Sequence, residues 1–210
     1  MTQKWIANAN ATAGDRLLNG VQAALQLSTE QLVMLVRDPS AADPNKMTLQ
    51  LCSDHQSTPT VIATVSAGVG GYFSLQNTPC ALALCRDASD NLYVVGQDSV
   101  KQSYLGVQAF QKLSGALLWS PMPYASVSTY GTPFIFNGVA ATWCHTGGGT
   151  NQAGHIMVIA TTTLSTGGNW CVVFDAGAVL AGRATYTSNT RNPTFLGAGS
   201  TAATATGTNL

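Results

Sequence analysis

The sequence predicts an all-β fold, and three observations support this class. Short runs rich in Val, Ile, Thr, Leu, Tyr and Phe follow one another along the chain, each about as long as one strand. Gly, Pro, Asn and Asp separate these runs, as turn residues separate strands. Helical spacing of apolar residues occurs in one stretch, residues 14–27, where Gly20 weakens it. We therefore expect strands joined by turns, with residues 14–27 as the one stretch that could be helical.

The candidate strands can be placed in chain order. They lie at residues 32–38, 47–52, 60–65, 80–86, 91–97, 104–110, 116–120, 133–136, 139–145, 155–161 and 169–174. Polar loops separate several of them, including DASDN at residues 87–91 and the longer DPSAADPNK at residues 38–46. Asn137-Gly138 favours a type I′ hairpin, because both positions tolerate a positive φ. Neighbouring strands are therefore expected to pair in antiparallel fashion.

A closing hairpin recurs along the chain. The segments AFQKLSGALLW (109–119) and ATTTLSTGGNW (160–170) both begin with Ala, carry Leu-Ser at the fifth and sixth positions and end in Trp. A fainter copy, ATVSAGVGGYF, occupies residues 63–73. A Thr-Pro or Asn-Pro step also precedes apolar runs, and proline suits the first residue of a strand. These steps contain Pro79, Pro133 and Pro193. Each unit is therefore interpreted as four antiparallel strands, the pattern of a β-propeller blade.

Three blade-like units are predicted, and a fourth is partial. The three lie at about residues 31–73, 79–119 and 132–174, and the fourth opens near residue 193. The fold class is thus a propeller-like array of four-stranded antiparallel blades. The alternative is a β-sandwich whose hairpins resemble one another by chance.

The repeats divide the chain into three parts. Residues 1–30 form an N-terminal segment for an assembly contact or for blade closure, residues 31–196 form the propeller-like repeats, and residues 197–210 form a low-complexity C-terminal segment. Closed propellers typically have about four to eight blades. Either residues 1–30 pair with residues 193–210 to complete a fourth blade, or the chain is part of a longer protein.

The segment AFQKLSGALLW resembles the closing motif of pyrroloquinoline-quinone-type propellers, A-x-D-x-x-T-G-x-x-x-W. Ala109, Gly115 and Trp119 match the motif, and Ser114 stands in place of its Thr. The resemblance implies a blade architecture in which the tryptophan docks between neighbouring blades. Gln111 stands where the family has the aspartate that braces the turn. The resemblance therefore supports the blade architecture and does not extend to the quinone chemistry. A non-catalytic phage or virion structural relative is suspected, by analogy from composition.

The second copy of the motif matches less closely. Ala160 and Trp170 agree with it, whereas Thr166 stands where the family has glycine. Because Trp119 and Trp170 recur at one position of the motif, both are predicted to pack between blades. Of the four tryptophans, Trp5, Trp119, Trp143 and Trp170, the candidate for a surface ligand contact is Trp143, because it lies beside the polar Gly-rich loop at residues 146–154.

The charge balance bears on the partners. Nine basic and nine acidic residues give a net charge of zero, and charged residues make up 9% of the chain, against about 25% in an ordinary soluble domain. No basic patch is available for phosphates, which argues against nucleic acid as a partner. The apolar stretches are strand-sized, so no membrane span is expected. A neutral chain meets little repulsion on association, which predicts contacts with other protein subunits in an oligomeric assembly.

The cysteines indicate a reducing compartment. There are five, Cys52, Cys80, Cys85, Cys144 and Cys171, with no C-x-x-C pair. An odd number without such pairs indicates neither a disulfide framework nor a zinc site. The N-terminus lacks the apolar region of a signal peptide. We therefore expect folding in the cytoplasm with free thiols, most of them buried.

Two clusters of acidic, cysteine or histidine residues are candidates for metal sites. Asp87, Asp90 and Asp98 flank one hairpin, but DASDN lacks the spacing of a calcium loop, so a solvated turn is the prediction. Cys144, His145 and His155 surround the Gly-rich loop 146–154. Adjacent strand residues point to opposite faces, which argues against one ion bound by Cys144 and His145. No catalytic, cofactor-binding or metal-ligating residue is assigned, and no cofactor is expected.

The resulting prediction is a non-catalytic structural or interaction subunit of a large assembly. The low charge, the free cysteines and the repeats rich in Thr, Ala and Gly resemble those of a viral component assembled in the host cytoplasm, such as a phage tail, fibre or capsid-associated protein. The first alternative is a carbohydrate-binding propeller that recognises a host-surface glycan. The second is an enzyme of quinoprotein type, which would need carboxylates around a calcium ion.

Overall fold

The protein is all-β, as the sequence predicts. The computed structural model describes residues 21–37, 47–52, 60–65, 73, 82–98, 104–113, 119–128, 136–144, 154–162, 169–182 and 186–191. These residues form three antiparallel sheets and one short helix. Each sheet is built from strands that are consecutive in the chain, which is the arrangement of a propeller blade.

Sheet 1 contains four strands in the order of the chain. They are β1 (Val21–Gln26), β2 (Leu32–Arg37), β3 (Met47–Cys52) and β4 (Thr60–Val65). Strands β2 to β4 lie at the positions that the apolar runs predict.

The helical interpretation of residues 14–27 is wrong for the part of this segment that the structure describes. Residues 21–26 form β1, which pairs with β2 along its length. Ala23 and Leu25 pack towards the core, whereas Ala24 and Gln26 are exposed. The apolar residues of this short segment fit a period of two as well as a helical period, and pairing with β2 selects the strand.

Sheet 2 contains five strands. They are β5 (Leu82–Arg86), β6 (Leu92–Gln97), β7 (Tyr104–Lys112), β8 (Trp119–Pro121) and β9 (Ala125–Ser128). The first four follow one another as predicted for the unit at residues 79–119. Strand β8 pairs with one end of β7 and β9 with its other end, so the two short strands share one edge of β7.

Sheet 3 again contains four strands, and a short helix lies between the third and the fourth of them. The strands are β10 (Phe136–Cys144), β11 (His155–Thr162), β12 (Asn169–Asp175) and β13 (Tyr186–Arg191). Helix α1 (Ala176–Leu180) follows β12 directly, and the carboxylate of Asp175 accepts the Ala178 N–H at 2.8 Å as its N-cap.

The prediction of a type I′ hairpin at Asn137-Gly138 is wrong, because both residues lie inside β10. The ladder with β11 shifts register between Phe136 and Gly138, which marks a bulge. A Cβ atom on Gly138 would lie 2.8 Å from the Thr161 Oγ1. The glycine therefore serves the close approach of two strands and not a turn.

The third unit therefore has other boundaries than the predicted 132–174, because sheet 3 runs from Phe136 to Arg191. Trp119 begins the fourth strand of sheet 2, whereas Trp170 lies in β12, the third strand of sheet 3. The prediction that the two tryptophans share one structural position is therefore wrong. The partial fourth unit near residue 193 and the segments 1–20 and 197–210 lie outside the described residues.

Sheet 2 lies between the other two sheets and is buried on both faces. One face carries Leu82, Leu84, Leu92, Val94 and Phe110, which pack with the apolar side chains of sheet 1. The opposite face carries Cys85, Tyr93, Val95, Leu105, Val107 and Ala109, which pack with sheet 3 and α1. All six residues of β6 are buried, so its sequence is apolar almost without interruption.

The first strands of the three sheets lie side by side. Strand β5 contacts β1 on one side and β10 on the other. This arrangement brings the ends of three strands from three sheets together, and the candidate site lies at those ends. Within the described residues, no helix has the length and the apolar character that crossing a bilayer requires.

Candidate functional site

The β5–β6 turn is organised around the carboxylate of Asp87, which is 6% exposed. Its Oδ1 accepts the backbone N–H groups of Ser89 at 2.9 Å and of Asn91 at 3.0 Å. Its Oδ2 accepts the Asn91 amide at 2.7 Å and the Tyr93 hydroxyl at 2.9 Å. Four donors satisfy this carboxylate from within the turn and β6. The prediction of a solvated turn is therefore wrong for Asp87, which is a buried structural acid.

Asp90 lies in the same turn and is 2% exposed. Its carboxylate accepts the Ser28 N–H at 3.1 Å and the Ser28 hydroxyl. It also forms ion pairs with Arg86 at 3.0 Å and with Lys112 at 3.4 Å. We call Ser28, Arg86, Asp90 and Lys112 the Asp90 clamp. The clamp joins the β1–β2 turn of sheet 1 to β5 and β7 of sheet 2.

The electrostatics of the Asp90 clamp favour the charged carboxylate. Burial by itself raises the pKa of Asp90, but the two hydrogen bonds from Ser28 and the ammonium group of Lys112 outweigh burial. The pKa of Asp90 is therefore below its ordinary value. A buried acid that is already charged and fully paired is suited to holding the fold together and unsuited to donating a proton.

Further contacts tie the clamp into both sheets. Arg86 donates its Nε–H to the Gln26 carbonyl at 2.8 Å, which adds a second link to β1. The backbone N–H of Lys112 donates to the Asn91 side chain at 2.9 Å. Asp90 itself has φ 61°, a left-handed conformation that the surrounding hydrogen bonds sustain.

Trp119 packs between the sheets and caps the same turn. It is buried in the apolar core that sheets 1 and 2 share. Its indole N–H donates to the Asp90 carbonyl at 2.8 Å, and the Lys112 ammonium lies 5.4 Å from its ring centre. Trp119 is therefore a packing residue, as the sequence predicts, and the side chain of Trp170 lies outside the description.

Asp98 does not join the other two acids. It follows the last residue of β6, whereas Asp87 and Asp90 precede the first, so the six residues of β6 separate them by about 20 Å. Asp98 accepts the Tyr124 hydroxyl at 2.8 Å. Within the described ranges, no group of three His, Cys, Asp or Glu side chains could hold a metal ion.

The thiols of this region are protonated at neutral pH. Burial raises the pKa of the Cys85 thiol to about 12, with smaller contributions from Asp87 and Cys144. Burial also raises the pKa values of Cys144 and Cys171. Because the thiolate is the nucleophile and the metal ligand, none of the three is activated for either chemistry.

Cys144 and His155 lie directly opposite each other at the end of the β10–β11 ladder. The Cys144 thiol is directed to the His155 carbonyl at 3.7 Å. His145 and residues 146–153 of the Gly-rich loop lie outside the described residues. Among the described contacts, Cys144 therefore takes part in the pairing of β10 with β11.

Trp143 lies one residue before Cys144 in β10 and is half-buried. Its indole lies against the backbone of Gly154, where a Cβ atom would come within 2.7 Å of the Trp143 Nε1. Gly154 has φ 75° and its carbonyl accepts the Ala176 N–H at 3.1 Å. The backbone at Gly154 thus fixes one edge of the indole.

An open cavity of about 400 Å³ lies where β1, β5 and β10 meet, and we call it the inner-strand pocket. Its described lining is Leu25 and Gln26, the five residues from Leu84 to Ala88, and Thr142 and Trp143. A second open cavity of about 470 Å³ lies beside the Asp90 clamp, against Ser28 and Lys112. The inner-strand pocket combines side chains from all three sheets with an aromatic wall.

No protein-family model matches this chain, and a search of curated proteins finds no similar sequence. Inference about function therefore depends on the geometry of the site.

Sequence reasoning identified Asp87, Asp90 and Trp143 but not the partners of the acids. Arg86 and Asp90 flank the same short turn, and this closeness in the sequence is the signal that could have suggested an ion pair. Ser28 gives no such signal, because it lies 62 residues from Asp90 in the sequence.

Proposed function

We propose that this protein is a non-catalytic structural subunit of a large assembly, specifically a virion component such as a phage tail, fibre or capsid-associated protein. The observation that carries the non-catalytic part of the proposal is the Asp90 clamp, and the assembly part rests on the low charge of the chain and on edge strand β4. Its carboxylate joins two sheets and is satisfied by Ser28, Arg86 and Lys112. Asp87 is satisfied in the same way by its own turn. The charged groups of this region therefore support the scaffold.

The surface is suited to association with other subunits. The chain has zero net charge and 9% charged residues, so little electrostatic repulsion opposes contact. Strand β4, with the sequence TVIATV, is at one edge of sheet 1 and carries no charge. Natural proteins protect free edges with charges or proline, and an uncharged edge strand is a template for pairing with another chain. A place in the virion, after assembly in the host cytoplasm, follows from this proposal.

Fractionation of infected cells tests the proposal. An antibody against the chain should detect it in the particle band of a density gradient, in a constant ratio to the major particle protein. The purified chain should also increase in mass between about 1 and 100 μM in light scattering, as expected for weak association. A chain that remains in the light fractions and stays monomeric over this range would contradict the proposal.

A further inference from the structure

The lining of the inner-strand pocket is part apolar and part polar, and Trp143 forms its aromatic wall. Leu25 and Leu84 contribute aliphatic surface from β1 and β5, and Trp143 contributes the indole from β10. Gln26 and Thr142 also line the cavity, and both residues are exposed. A ligand that fits this lining needs an apolar face for the indole and hydroxyl groups for the two polar side chains.

The charges of the pocket favour a neutral ligand. Two charged residues are in its described lining, Arg86 and Asp87. Arg86 forms an ion pair with Asp90 and donates to the Gln26 carbonyl. Asp87 accepts four hydrogen bonds from its own turn. Because both charges are already paired or hydrogen-bonded inside the protein, neither selects an acidic or a basic ligand.

The aromatic wall is held in place before any ligand arrives. The backbone of Gly154 contacts the indole edge of Trp143, and no side chain larger than hydrogen fits there without movement. Trp143 also packs against the core of sheets 2 and 3. A ring that is ordered in advance loses little conformational entropy on binding.

We infer that the inner-strand pocket binds a neutral saccharide of one or two pyranose rings. One face of a pyranose is lined by C–H groups and stacks on Trp143, while its hydroxyls contact Gln26 and Thr142. The cavity of about 400 Å³ accommodates a ligand of that size. Binding to a single site is weak, with a dissociation constant on the order of 1 mM. This inference is independent of the proposed role in a virion.

Saturation-transfer NMR on the full chain tests the inference. The probes are the methyl glycosides of glucose and galactose, N-acetylglucosamine, lactose and cellobiose, with adenosine as a neutral planar ligand of another class. We expect transfer to the ring protons of at least one saccharide. Trp143→Ala should weaken its binding about tenfold, and Leu113→Ala, at an exposed apolar side chain outside this pocket, should leave it unchanged.

Thr142→Ala provides a second variant, because the Thr142 side chain is exposed and its removal spares the core. It should weaken binding about threefold through the loss of one hydrogen bond. Circular dichroism checks that each variant is folded. The inference is overturned if no saccharide shows transfer, if only adenosine binds, or if Thr142→Ala and a folded Trp143→Ala bind as tightly as the wild type.

Discussion

Asp90 accepts two hydrogen bonds from Ser28, one from the backbone N–H at 3.1 Å and one from the hydroxyl, across 62 residues of sequence. This contact joins the β1–β2 turn to the β5–β6 turn. The carboxylate is 2% exposed and also pairs with Arg86 and Lys112. A single side chain therefore connects sheet 1 to sheet 2 at the end of the molecule where the inner-strand pocket lies.

Asp90→Asn removes the charge of this carboxylate and keeps its size. We expect it to lower the free energy of unfolding by about 2 kcal/mol, because two ion pairs are lost and the Ser28 donors meet a weaker acceptor. Urea denaturation followed by circular dichroism measures the change. Glu30→Gln, at an exposed acid in the β1–β2 turn, is the control and should change stability by less than about 0.5 kcal/mol. Equal stability of the two variants would show that the clamp does not stabilise the fold.

The stability of the protein should depend on pH through Asp90. Its pKa in the folded state is below the ordinary value, so the folded state favours the charged form. The stabilisation is complete above the ordinary pKa of about 4 and is lost as the pH falls through the folded pKa. Unfolding free energies measured between pH 7 and pH 2.5 should fall at the acid end more steeply for the wild type than for Asp90→Asn. Parallel profiles would contradict this assignment.

Trp119→Phe isolates the indole hydrogen bond. The variant keeps an aromatic ring in the core but leaves the buried Asp90 carbonyl without its donor at 2.8 Å. We expect a loss of about 1–3 kcal/mol in the free energy of unfolding. Trp143→Phe is the matched control, since Trp143 is only half-buried, and should cost less. If the two changes were equally costly, the bond to Asp90 would not be the cause.

Gly154→Ala tests the backbone that supports Trp143. The residue has φ 75°, and a Cβ atom would lie 2.7 Å from both the Cys144 carbonyl and the Trp143 Nε1. We expect a loss of about 1–3 kcal/mol in stability and a shift of the Trp143 signal in the NMR spectrum. Gly154→Asn separates the two causes, because Asn tolerates a positive φ but still carries the Cβ atom. Recovery of stability with Asn would mean that strain, and not the contact, sets the cost.

Cys85 should resist alkylation in the folded protein. Its pKa of about 12 leaves almost no thiolate at pH 8, and the side chain is buried. Iodoacetamide followed by peptide mass spectrometry should find Cys85 unmodified under native conditions and fully modified in urea. Cys144, which is half-buried, should react sooner and serves as the internal comparison. Rapid native modification of Cys85 would contradict the assigned burial.

The sequence predicted the strands well where a short apolar run is bounded by turn residues. Strands β2, β3 and β4 lie where the runs at residues 32–38, 47–52 and 60–65 placed them. It failed at β1 because a segment of six residues fits two periods, and pairing with β2 decides between them. It failed at Gly138 because glycine serves both tight turns and close strand contacts, and only the position of Thr161 distinguishes them.

The candidate site was predicted in outline only. Asp87 and Asp90 were recognised as a cluster, but their burial depends on partners that the local sequence does not indicate. Ser28 reaches Asp90 only after two sheets have packed together. Trp143 was nominated from its neighbourhood of polar residues, whereas the pocket beside it requires β1, β5 and β10 to meet. Local sequence patterns predict individual strands. They do not predict how the three sheets pack, and that packing forms the site.

The position of sheet 2 between two apolar cores has a consequence for biosynthesis. Sheet 1 is complete in the nascent chain before β5 has been made, yet the buried side chains of Leu35 and Leu49 need the face of sheet 2 to cover them. During translation the apolar face of sheet 1 is therefore exposed, beside the uncharged edge strand β4. The interval before residue 119 leaves the ribosome is therefore one period of aggregation risk, in which a chaperone would have an effect. A second period follows, because Tyr93 and Val95 on the other face of sheet 2 stay uncovered until sheet 3 is made.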